Sequence, residues 1–333
     1  MILTKTEMLQ DKKVENTISE LENSKGLHLR LCVTERCQNR CLYCTPGGES
    51  GGIGYKPLHQ DLVPLEFVSL IKIVSSVYPV KYLKLTGGEP CERNDLCLII
   101  ELLKTNFETS KIEMVSRSEK LYHLLPELLS AGLEGLTVSL DTTDPQKHMH
   151  ITGRDTLKEL IRGIYQVTNL GLRLTLNCVP LKEINTNKKE ILHLICLAKD
   201  VGADVKLIDL MDLKQNSRFL ERYYFPLSLL REELKKEASQ HEIVKPLGGL
   251  GTPMHVFTIE GVKVKMRDSN IGTHYSERCK NCHNYPCADG RMALRITSDG
   301  CLKTCLLRTD CVNLKEVLDT ICDFQASKFV SKN

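Results

Sequence analysis

Short segments with apolar residues at every second position alternate with longer segments in which apolar residues recur at helical spacing. Leu29, Leu31 and Val33 form one such alternating set, with polar or small residues between them. Period-2 patterns predict strands, and 3.6-residue patterns predict helices. Six strand–helix pairs in a row indicate a parallel sheet covered by helices. The predicted strands are 27–34, 81–86, 111–116, 135–140, 172–179 and 204–210; the predicted helices are 65–78, 95–105, 121–131, 156–169, 188–200 and 227–239.

The polar positions in these strands also indicate what the sheet encloses. Strands of a parallel sheet are usually apolar on both faces, whereas here one face of each strand is polar. A closed eight-stranded barrel fills its interior with apolar side chains. A polar interior therefore favours a wider, incomplete barrel that holds a ligand. A solvated antiparallel sheet is the alternative, and the intervening helices argue against it. The predicted fold class is α/β, a partial (β/α)6 TIM-like barrel.

Composition narrows the class of protein. A net charge of +3 over 333 residues gives no argument for a nucleic-acid or membrane partner. No apolar run is long enough to span a bilayer, and the first residues lack a signal-peptide pattern. We therefore expect a cytoplasmic protein. In a reducing compartment, 15 cysteines indicate metal binding rather than disulfides.

The first cysteine group has a spacing that suits an iron–sulfur cluster. Cys37, Cys41 and Cys44 follow the first predicted strand with the spacing C-x3-C-x2-C. Thiolates are the usual ligands of [4Fe–4S] clusters, and three thiolates leave the fourth iron open to a small chelating molecule. The alternatives are a structural zinc knuckle, which usually takes four protein ligands, or thiols that lie close together without binding metal.

A second cysteine group follows a change in pattern near residue 240. The segment 245–253 is rich in Gly and Pro, and a predicted hairpin with strands 255–259 and 262–266 comes next. We divide the chain into an N-terminal arm (1–26), the barrel (27–240) and a small metal-bearing extension (241–333). A second cluster or a zinc site, the latter with four thiolates or with His283 as a ligand, is compatible with this group. The group comprises Cys279, Cys282 and Cys287, followed by Cys301 and Cys305.

The motifs resemble those of a known superfamily. The cysteine triplet with Tyr43 before its last member resembles the signature of the radical S-adenosylmethionine (SAM) superfamily, and Thr86-Gly-Gly-Glu-Pro90 matches its GGE segment. The chain is similar, more closely, to the GTP cyclase family of molybdenum-cofactor biosynthesis over residues 27–215 and again at 294–306. That family has a partial (β/α)6 barrel and a C-terminal extension with a second [4Fe–4S] cluster. The resemblance implies that Cys279, Cys282 and Cys305 hold this cluster, and Cys287 is a further predicted ligand. The further matching segments are 30–37, 85–96, 138–142, 151–154, 162–164 and 177–180.

The resemblance implies a reaction and a set of SAM contacts. The cluster would reduce SAM, and the resulting 5′-deoxyadenosyl radical would take a hydrogen atom from the substrate. Glu89 with the two preceding glycines would lie at the SAM amino group, Ser139 near its ribose or carboxylate, and Tyr43 against its adenine. Ser116 stands where the family has a threonine. The implied SAM-binding residues are Tyr43, Gly87, Gly88, Glu89, Ser116 and Ser139.

The predicted substrate cavity departs from the family pattern. Arg30 and Arg295 match two basic residues that hold GTP in the family, and Lys84 stands where an arginine is usual. Tyr82 and Thr175 replace lysines. A triphosphate needs several cationic donors, so we expect a substrate other than GTP. The predicted substrate-binding residues are Arg30, Lys84, Arg291 and Arg295.

The sequence thus predicts a radical SAM enzyme that acts on a small molecule or a nucleotide, with a reductase such as flavodoxin or ferredoxin as its electron donor. The alternative is a maturase of ribosomally made peptides that works with a separate leader-binding protein. A non-enzymatic iron–sulfur or zinc scaffold is the third hypothesis.

Three single-residue questions remain. If Cys287 is a ligand, the second cluster has four thiolates and no open iron. We place His148 and His150 in a solvated loop, and Cys91 is either an inert buried thiol or a hydrogen donor.

Overall fold

The computed structural model describes residues 27–51, 61–77, 79–107, 110–211, 217–244, 253–267, 294–307 and 311–320. Strands and helices alternate through its first two thirds. The strands are β1 (Leu27–Thr34), β2 (Val80–Gly87), β3 (Lys111–Ser116), β4 (Gly135–Ser139), β5 (Arg173–Cys178), β6 (Asp204–Ile208), β7 (Gln240–Val244), β8 (Met254–Ile259), β9 (Val262–Arg267), β10 (Leu294–Ile296), β11 (Cys301–Lys303) and β12 (Cys311–Asn313). The helices are α1 (Pro64–Ser75), α2 (Leu96–Asn106), α3 (Leu121–Ser130), α4 (Pro145–Thr152), α5 (Leu157–Asn169), α6 (Lys188–Asp200), α7 (Ser217–Tyr223) and α8 (Leu227–Glu237).

All the described strands belong to one sheet in the order β12-β11-β10-β1-β2-β3-β4-β5-β6-β9-β8-β7. Strands β1 to β6 are parallel neighbours in chain order. The strands that follow residue 240 extend this sheet at both ends, since β10 pairs in parallel with β1 and β9 pairs in parallel with β6. The predicted partial (β/α)6 barrel is confirmed. The division of the chain at residue 240 stays a prediction, although the sheet itself continues across it.

The core lies between the sheet and its helices. Leu83 and Leu85 of β2 are fully buried, as are Leu121 and Leu125 of α3. Burying one such side chain contributes about 1.5–3 kcal/mol, and truncating it to alanine costs about 2–5 kcal/mol. Because successive side chains point to opposite faces of a strand, this packing directs the polar set of each strand into the barrel.

Helix α4 corrects the sequence prediction of a solvated loop around His148. The Asp144 carboxylate accepts a hydrogen bond from the Lys147 backbone N–H, Pro145 is the first helical residue, and Gly153 ends the helix at φ 72°. These are ordinary helix signals, but few apolar residues lie between them. His148 is buried at 1% exposure. Burial, with a smaller contribution from Arg117, lowers its pKa to about 4.

Helix α7 and strands β7, β10, β11 and β12 were not predicted from the sequence. The predicted hairpin is present as β8 and β9, joined at Glu260 and Gly261. No helix within the described ranges has the length and apolar character needed to cross a membrane.

Candidate functional site

The cluster loop, residues 37–44, follows β1 and is held against the end of α4. The backbone N–H of Arg40 donates to the Thr152 carbonyl at 2.8 Å, and that of Leu42 donates to the Ile151 carbonyl at 2.9 Å. Within the loop, the Cys44 N–H donates to the Cys41 carbonyl at 3.0 Å. These bonds satisfy backbone groups that no regular element would satisfy, and they fix a loop that carries three cysteines.

The three predicted cluster ligands, Cys37, Cys41 and Cys44, are each at least partly exposed. Cys37 is exposed, while Cys41 and Cys44 are half-buried and none is in a disulfide. Burial raises the pKa of Cys37 to about 11 and that of Cys44 to about 12. Cluster ligands must be thiolates, so iron binding here would displace protons from the thiols. Cys41 and Cys37 lie close enough to Cys44 for their charges to raise its pKa further, and three neighbouring thiolates are the donor set of a [4Fe–4S] cluster with one open iron.

Gly87 and Gly88 bring the end of β2 against the end of β1. The Gly88 N–H donates to the Thr34 carbonyl at 2.7 Å, and the next N–H, of Glu89, donates to the Arg36 carbonyl at 2.8 Å. A Cβ on Gly88 would lie 2.3 Å from the Arg36 oxygen, and one on Gly87, where φ is 138°, would lie 2.3 Å from the Thr34 oxygen. Glycine is required at both positions by this backbone packing. Their contact with SAM stays a prediction.

The Glu89 carboxylate is buried and shared among three donors. It accepts from the Ser116 hydroxyl at 2.6 Å, from the Arg117 backbone N–H at 2.8 Å and from the Cys91 backbone N–H at 3.2 Å. Burial raises the pKa of Glu89 and these hydrogen bonds oppose the rise. The structure thus brings together two predicted SAM contacts, Glu89 and Ser116. Cys91 is buried beside Ser116, at 3.5 Å between sulfur and oxygen, and burial raises its pKa well above the ordinary value.

Tyr43 joins the cluster loop to the barrel through a buried ion pair. Its hydroxyl donates to Asp141 Oδ2 at 2.8 Å and accepts from Arg117 Nη2 at 2.5 Å. Arg117 Nη2 also donates to Asp141 Oδ2 at 2.6 Å. The second oxygen, Asp141 Oδ1, accepts the Val179 N–H at 2.8 Å. Tyr43, the predicted adenine contact, is thus held in position by Arg117 and Asp141, which the sequence analysis had not assigned to the site.

Unsatisfied polar atoms mark where a polar ligand would lie. Ser139 of β4 and Asn177 of β5 are register partners. Asn177 Oδ1 and Arg117 Nη1 are buried and have no hydrogen-bond partner among the described residues. Leaving a buried polar group unpaired costs about 1–3 kcal/mol. A ligand with hydroxyl and carboxylate groups would remove this cost, and SAM has both, so the residues at the mouth fit SAM as well as the cluster.

A row of charged side chains crosses the barrel interior below this mouth. Register partners along β10, β1, β2 and β3 are Arg295, Arg30, Lys84 and Glu113. Glu113 also forms an ion pair with Arg173 of β5. Three of the four predicted substrate-binding residues therefore lie side by side. The fourth, Arg291, is outside the described residues.

Each of these three cations has a carboxylate partner. Glu49 lies between Arg30 and Arg295, which both donate to it. Lys84 Nζ lies 3.3 Å from Glu113 Oε2 and donates to the Thr137 hydroxyl at 3.1 Å. Burial, together with the charges of Arg30 and Arg173, lowers the pKa of Lys84 to about 7. Two carboxylates thus offset part of the charge of four cations, because Glu49 is shared by Arg30 and Arg295, and Glu113 by Lys84 and Arg173.

Tyr82 and Lys206 are two further interior side chains, and neither has a carboxylate partner described above. Tyr82 stacks on His28 with ring centroids 4.1 Å apart, near the amino ends of β2 and β1. Lys206 of β6 lies beside Asn177 and Lys265 in register. Burial, then the charges of Arg267 and Lys84, hold its pKa well below the ordinary value.

The second cysteine group is described only in part. Cys305 is half-buried just after β11, whereas Cys279, Cys282 and Cys287 lie outside the described residues. Burial, then the neighbouring Cys311 of β12, raises the pKa of Cys301 on β11. Lys303, the register partner of Cys311, donates to the Gly51 carbonyl at 2.7 Å. The composition of an auxiliary cluster stays a prediction.

Four residues of the site were missed by sequence reasoning: Glu49, Arg117, Asp141 and Asn177. Asn177 lies on the polar face of β5, and Asp141 follows β4 in the same alternation as Ser139. The alternation could therefore have indicated that both side chains face the interior. Arg117 follows β3 in the same way. Glu49 lies in a Gly-rich loop between elements, and no periodic signal marked it.

Comparisons with known proteins agree with this geometry. Residues 31–195 match the Radical SAM superfamily. A probable GTP 3′,8-cyclase of Pyrococcus abyssi is 32% identical over 285 residues, which is 85% of this chain and 85% of that protein. The GTP 3′,8-cyclase of Peptoclostridium acidaminophilum is 30% identical over 282 residues, 84% of this chain and 80% of that one.

Solved structures share the fold at low sequence identity. Streptococcus suis SuiB bound to S-adenosylmethionine superposes with a TM-score of 0.61 at 13% identity, covering 94% of this chain and 70% of SuiB. Native anSMEcpe with bound AdoMet gives a TM-score of 0.54 at 15% identity, covering 85% and 75%. Both likenesses concern the fold alone.

The chain belongs to the radical SAM superfamily and, within it, to the family of the GTP 3′,8-cyclases. The prediction of a radical SAM enzyme is thereby confirmed, and with it a [4Fe–4S] cluster and SAM as its cofactors. The scaffold hypothesis is set aside.

Proposed function

We propose that this enzyme acts on a small molecule or nucleotide other than GTP. The observation that carries the proposal is the pairing of Arg30 and Arg295 with Glu49, and of Lys84 with Glu113. Recognition of a triphosphate uses several free cationic donors. Here the cations that correspond to GTP contacts in the family are already bound to carboxylates of the same chain.

The geometry at the carboxyl ends of the strands supports the following roles. Cys37, Cys41 and Cys44 hold the cluster, and bound SAM supplies the 5′-deoxyadenosyl radical that takes a hydrogen atom from the substrate. Ser139, Ser116 and Glu89 orient SAM, and Tyr43 lies against its adenine. The bond from the Tyr43 hydroxyl to Asp141 supports this role, because it fixes the ring before the ligand arrives. Gly87 and Gly88 let the backbone approach the ligand closely.

The remaining cofactor and partner assignments are also proposals. Cys279, Cys282, Cys287 and Cys305 hold a second [4Fe–4S] cluster, which has no open iron if Cys287 is a ligand. A flavodoxin or ferredoxin in the cytoplasm reduces the first cluster. The half-buried position of Cys305 after β11 is compatible with ligation.

A second candidate is a peptide maturase that works with a separate leader-binding protein. It is favoured by the fold shared with SuiB, whose structure has also been solved with its precursor peptide SuiA and covers 93% of this chain at a TM-score of 0.55. That likeness includes the strands beyond the barrel. A candidate precursor peptide that changes mass only with SAM and reductant would support this function over the first.

The test uses protein reconstituted with iron and sulfide without oxygen. It is incubated with SAM, dithionite and GTP, with the Peptoclostridium acidaminophilum relative as the control. We expect 5′-deoxyadenosine from both proteins and cyclised GTP only from the relative. Cyclised GTP formed in proportion to 5′-deoxyadenosine by this enzyme would contradict the proposal.

A further inference from the structure

Glu49 fills the space between two arginines that project into the barrel. Arg30 Nε donates to Glu49 Oε2 at 2.7 Å, and Arg30 Nη2 donates to Oε1. Arg295 Nε donates to Oε2 at 3.1 Å, and the Thr86 hydroxyl donates to Oε1 at 2.9 Å. Each carboxylate oxygen thus accepts two hydrogen bonds, which is about its full capacity.

The backbone that carries Glu49 is fixed from both sides. Gly47 and Gly48 have φ values of 80° and 57°, a conformation that other residues rarely adopt. A Cβ on Gly48 would lie 2.0 Å from the Gly87 oxygen. The Glu49 N–H donates to that same oxygen at 3.2 Å. After Glu49, the Ser50 hydroxyl accepts the Ser298 N–H at 3.1 Å. The carboxylate is therefore part of the cavity wall rather than of a mobile rim.

The charge of Glu49 is permanent in the working pH range. Burial raises the pKa of this carboxyl, but the charges of Arg30 and Arg295 outweigh burial and lower it to about 2. A substrate anion at this position would have to displace a carboxylate that is bonded to the same chain. Such a group has a very high effective concentration, so displacement is unfavourable.

We propose that Glu49 determines substrate specificity by taking the position of a substrate anion between Arg30 and Arg295. The substrate group that lies against β1 and β10 is then uncharged and polar, and polyphosphates are excluded. This inference rests on the proposed function, and it names the class of group that the cavity accepts.

The test measures anion binding with no SAM or reductant present. Reconstituted wild-type protein, Glu49→Gln and Glu260→Gln are titrated with inorganic triphosphate by calorimetry. Glu260 is exposed and pairs with Lys199, so its substitution makes the same change in net charge away from the cavity. We expect Glu49→Gln to bind triphosphate roughly tenfold or more tightly than the other two proteins. Adding Arg30→Gln to that variant should remove the gain.

Two results would overturn the proposal: equal binding by Glu49→Gln and wild type, or an equal gain in Glu260→Gln. Folding of Glu49→Gln is judged by circular dichroism and iron content. If this variant does not fold, the titration of the wild-type protein tests the proposal. Micromolar triphosphate binding by wild type would contradict an occupied anion position, and undetectable binding would support it. Failure of SAM cleavage would contradict the proposed function and leave this titration unaffected.

Discussion

Arg117 and Asp141 form a buried ion pair, with 2.6 Å between Nη2 and Oδ2, at the carboxyl ends of neighbouring strands. Their side chains are 7% and 2% exposed. The Tyr43 hydroxyl completes the group from the cluster loop. One group of side chains thus links the loop that carries Cys37, Cys41 and Cys44 to the strands that carry the proposed SAM contacts.

Breaking this pair should be costly. Asp141→Asn leaves the Arg117 guanidinium buried without an anionic partner, and we expect a loss of about 3–5 kcal/mol in the free energy of unfolding. Tyr43→Phe removes a hydrogen bond to a charged group and should cost about 1.5–3 kcal/mol. Urea unfolding of both variants measures this. Equal costs for the two variants would mean that the ion pair stabilises the fold no more than the tyrosine hydroxyl does.

Gly88→Ala should prevent assembly of the site. Its Cβ would lie 2.3 Å from the Arg36 carbonyl oxygen, so the end of β2 must move away from the cluster loop. We expect the variant to lose most of its iron at the first cluster. Gly171→Ala is the control, since a Cβ there meets nothing within 4 Å; φ at Gly171 is positive, at 66°, unlike that of Gly88. Its cost should be about 1–2 kcal/mol of strain, with iron content unchanged. Normal iron content in Gly88→Ala would contradict the packing argument.

His28 should make stability depend on pH. Burial, with the charges of Lys84 and Arg30, lowers its pKa from 6.5 to about 4. Between these values the unfolded chain binds a proton that the folded protein does not, so stability falls as pH drops from 6.5 to 4. His28→Phe keeps a ring against Tyr82 and removes the titration.

The expected result is a shallower decline in the free energy of unfolding over this range, measured by urea at pH 5 and pH 7. Part of the slope should remain, because the pKa of His148 is also about 4. The exposed residue His193 provides the control substitution, His193→Phe. An unchanged slope in His28→Phe would contradict the assignment.

We expect Asn177→Leu to weaken SAM binding without lowering the stability of the ligand-free protein. Its buried Oδ1 has no partner among the described residues, so an apolar side chain of similar size should leave the stability of ligand-free protein unchanged or slightly raised. Because Ser139 is its register partner, we expect SAM binding to weaken about tenfold, measured by equilibrium dialysis. Unchanged SAM affinity would place Asn177 outside the SAM site.

The fold could be predicted from the sequence because apolar and polar residues alternate regularly along the strands. Leu83 and Leu85 on one face of β2, with Lys84 between them, define both the core and the cavity. The helix α4 was missed because its signals are caps rather than apolar periodicity. The spacing of Cys37, Cys41 and Cys44 predicted a cluster at these residues. Glu49 was not predicted, because its position between Arg30 and Arg295 depends on a loop folding back across strands far away in the chain.

The central claim is an iron with an open position in the cluster held by Cys37, Cys41 and Cys44. Electron paramagnetic resonance of the reduced first cluster, with and without SAM, tests it most directly in a variant whose Cys279, Cys282 and Cys287 are replaced by alanine. We predict about four irons bound by the cluster loop and a spectrum that changes when SAM is added, with both lost in Cys41→Ala. Zinc in place of iron, or a spectrum unmoved by SAM, would contradict the account.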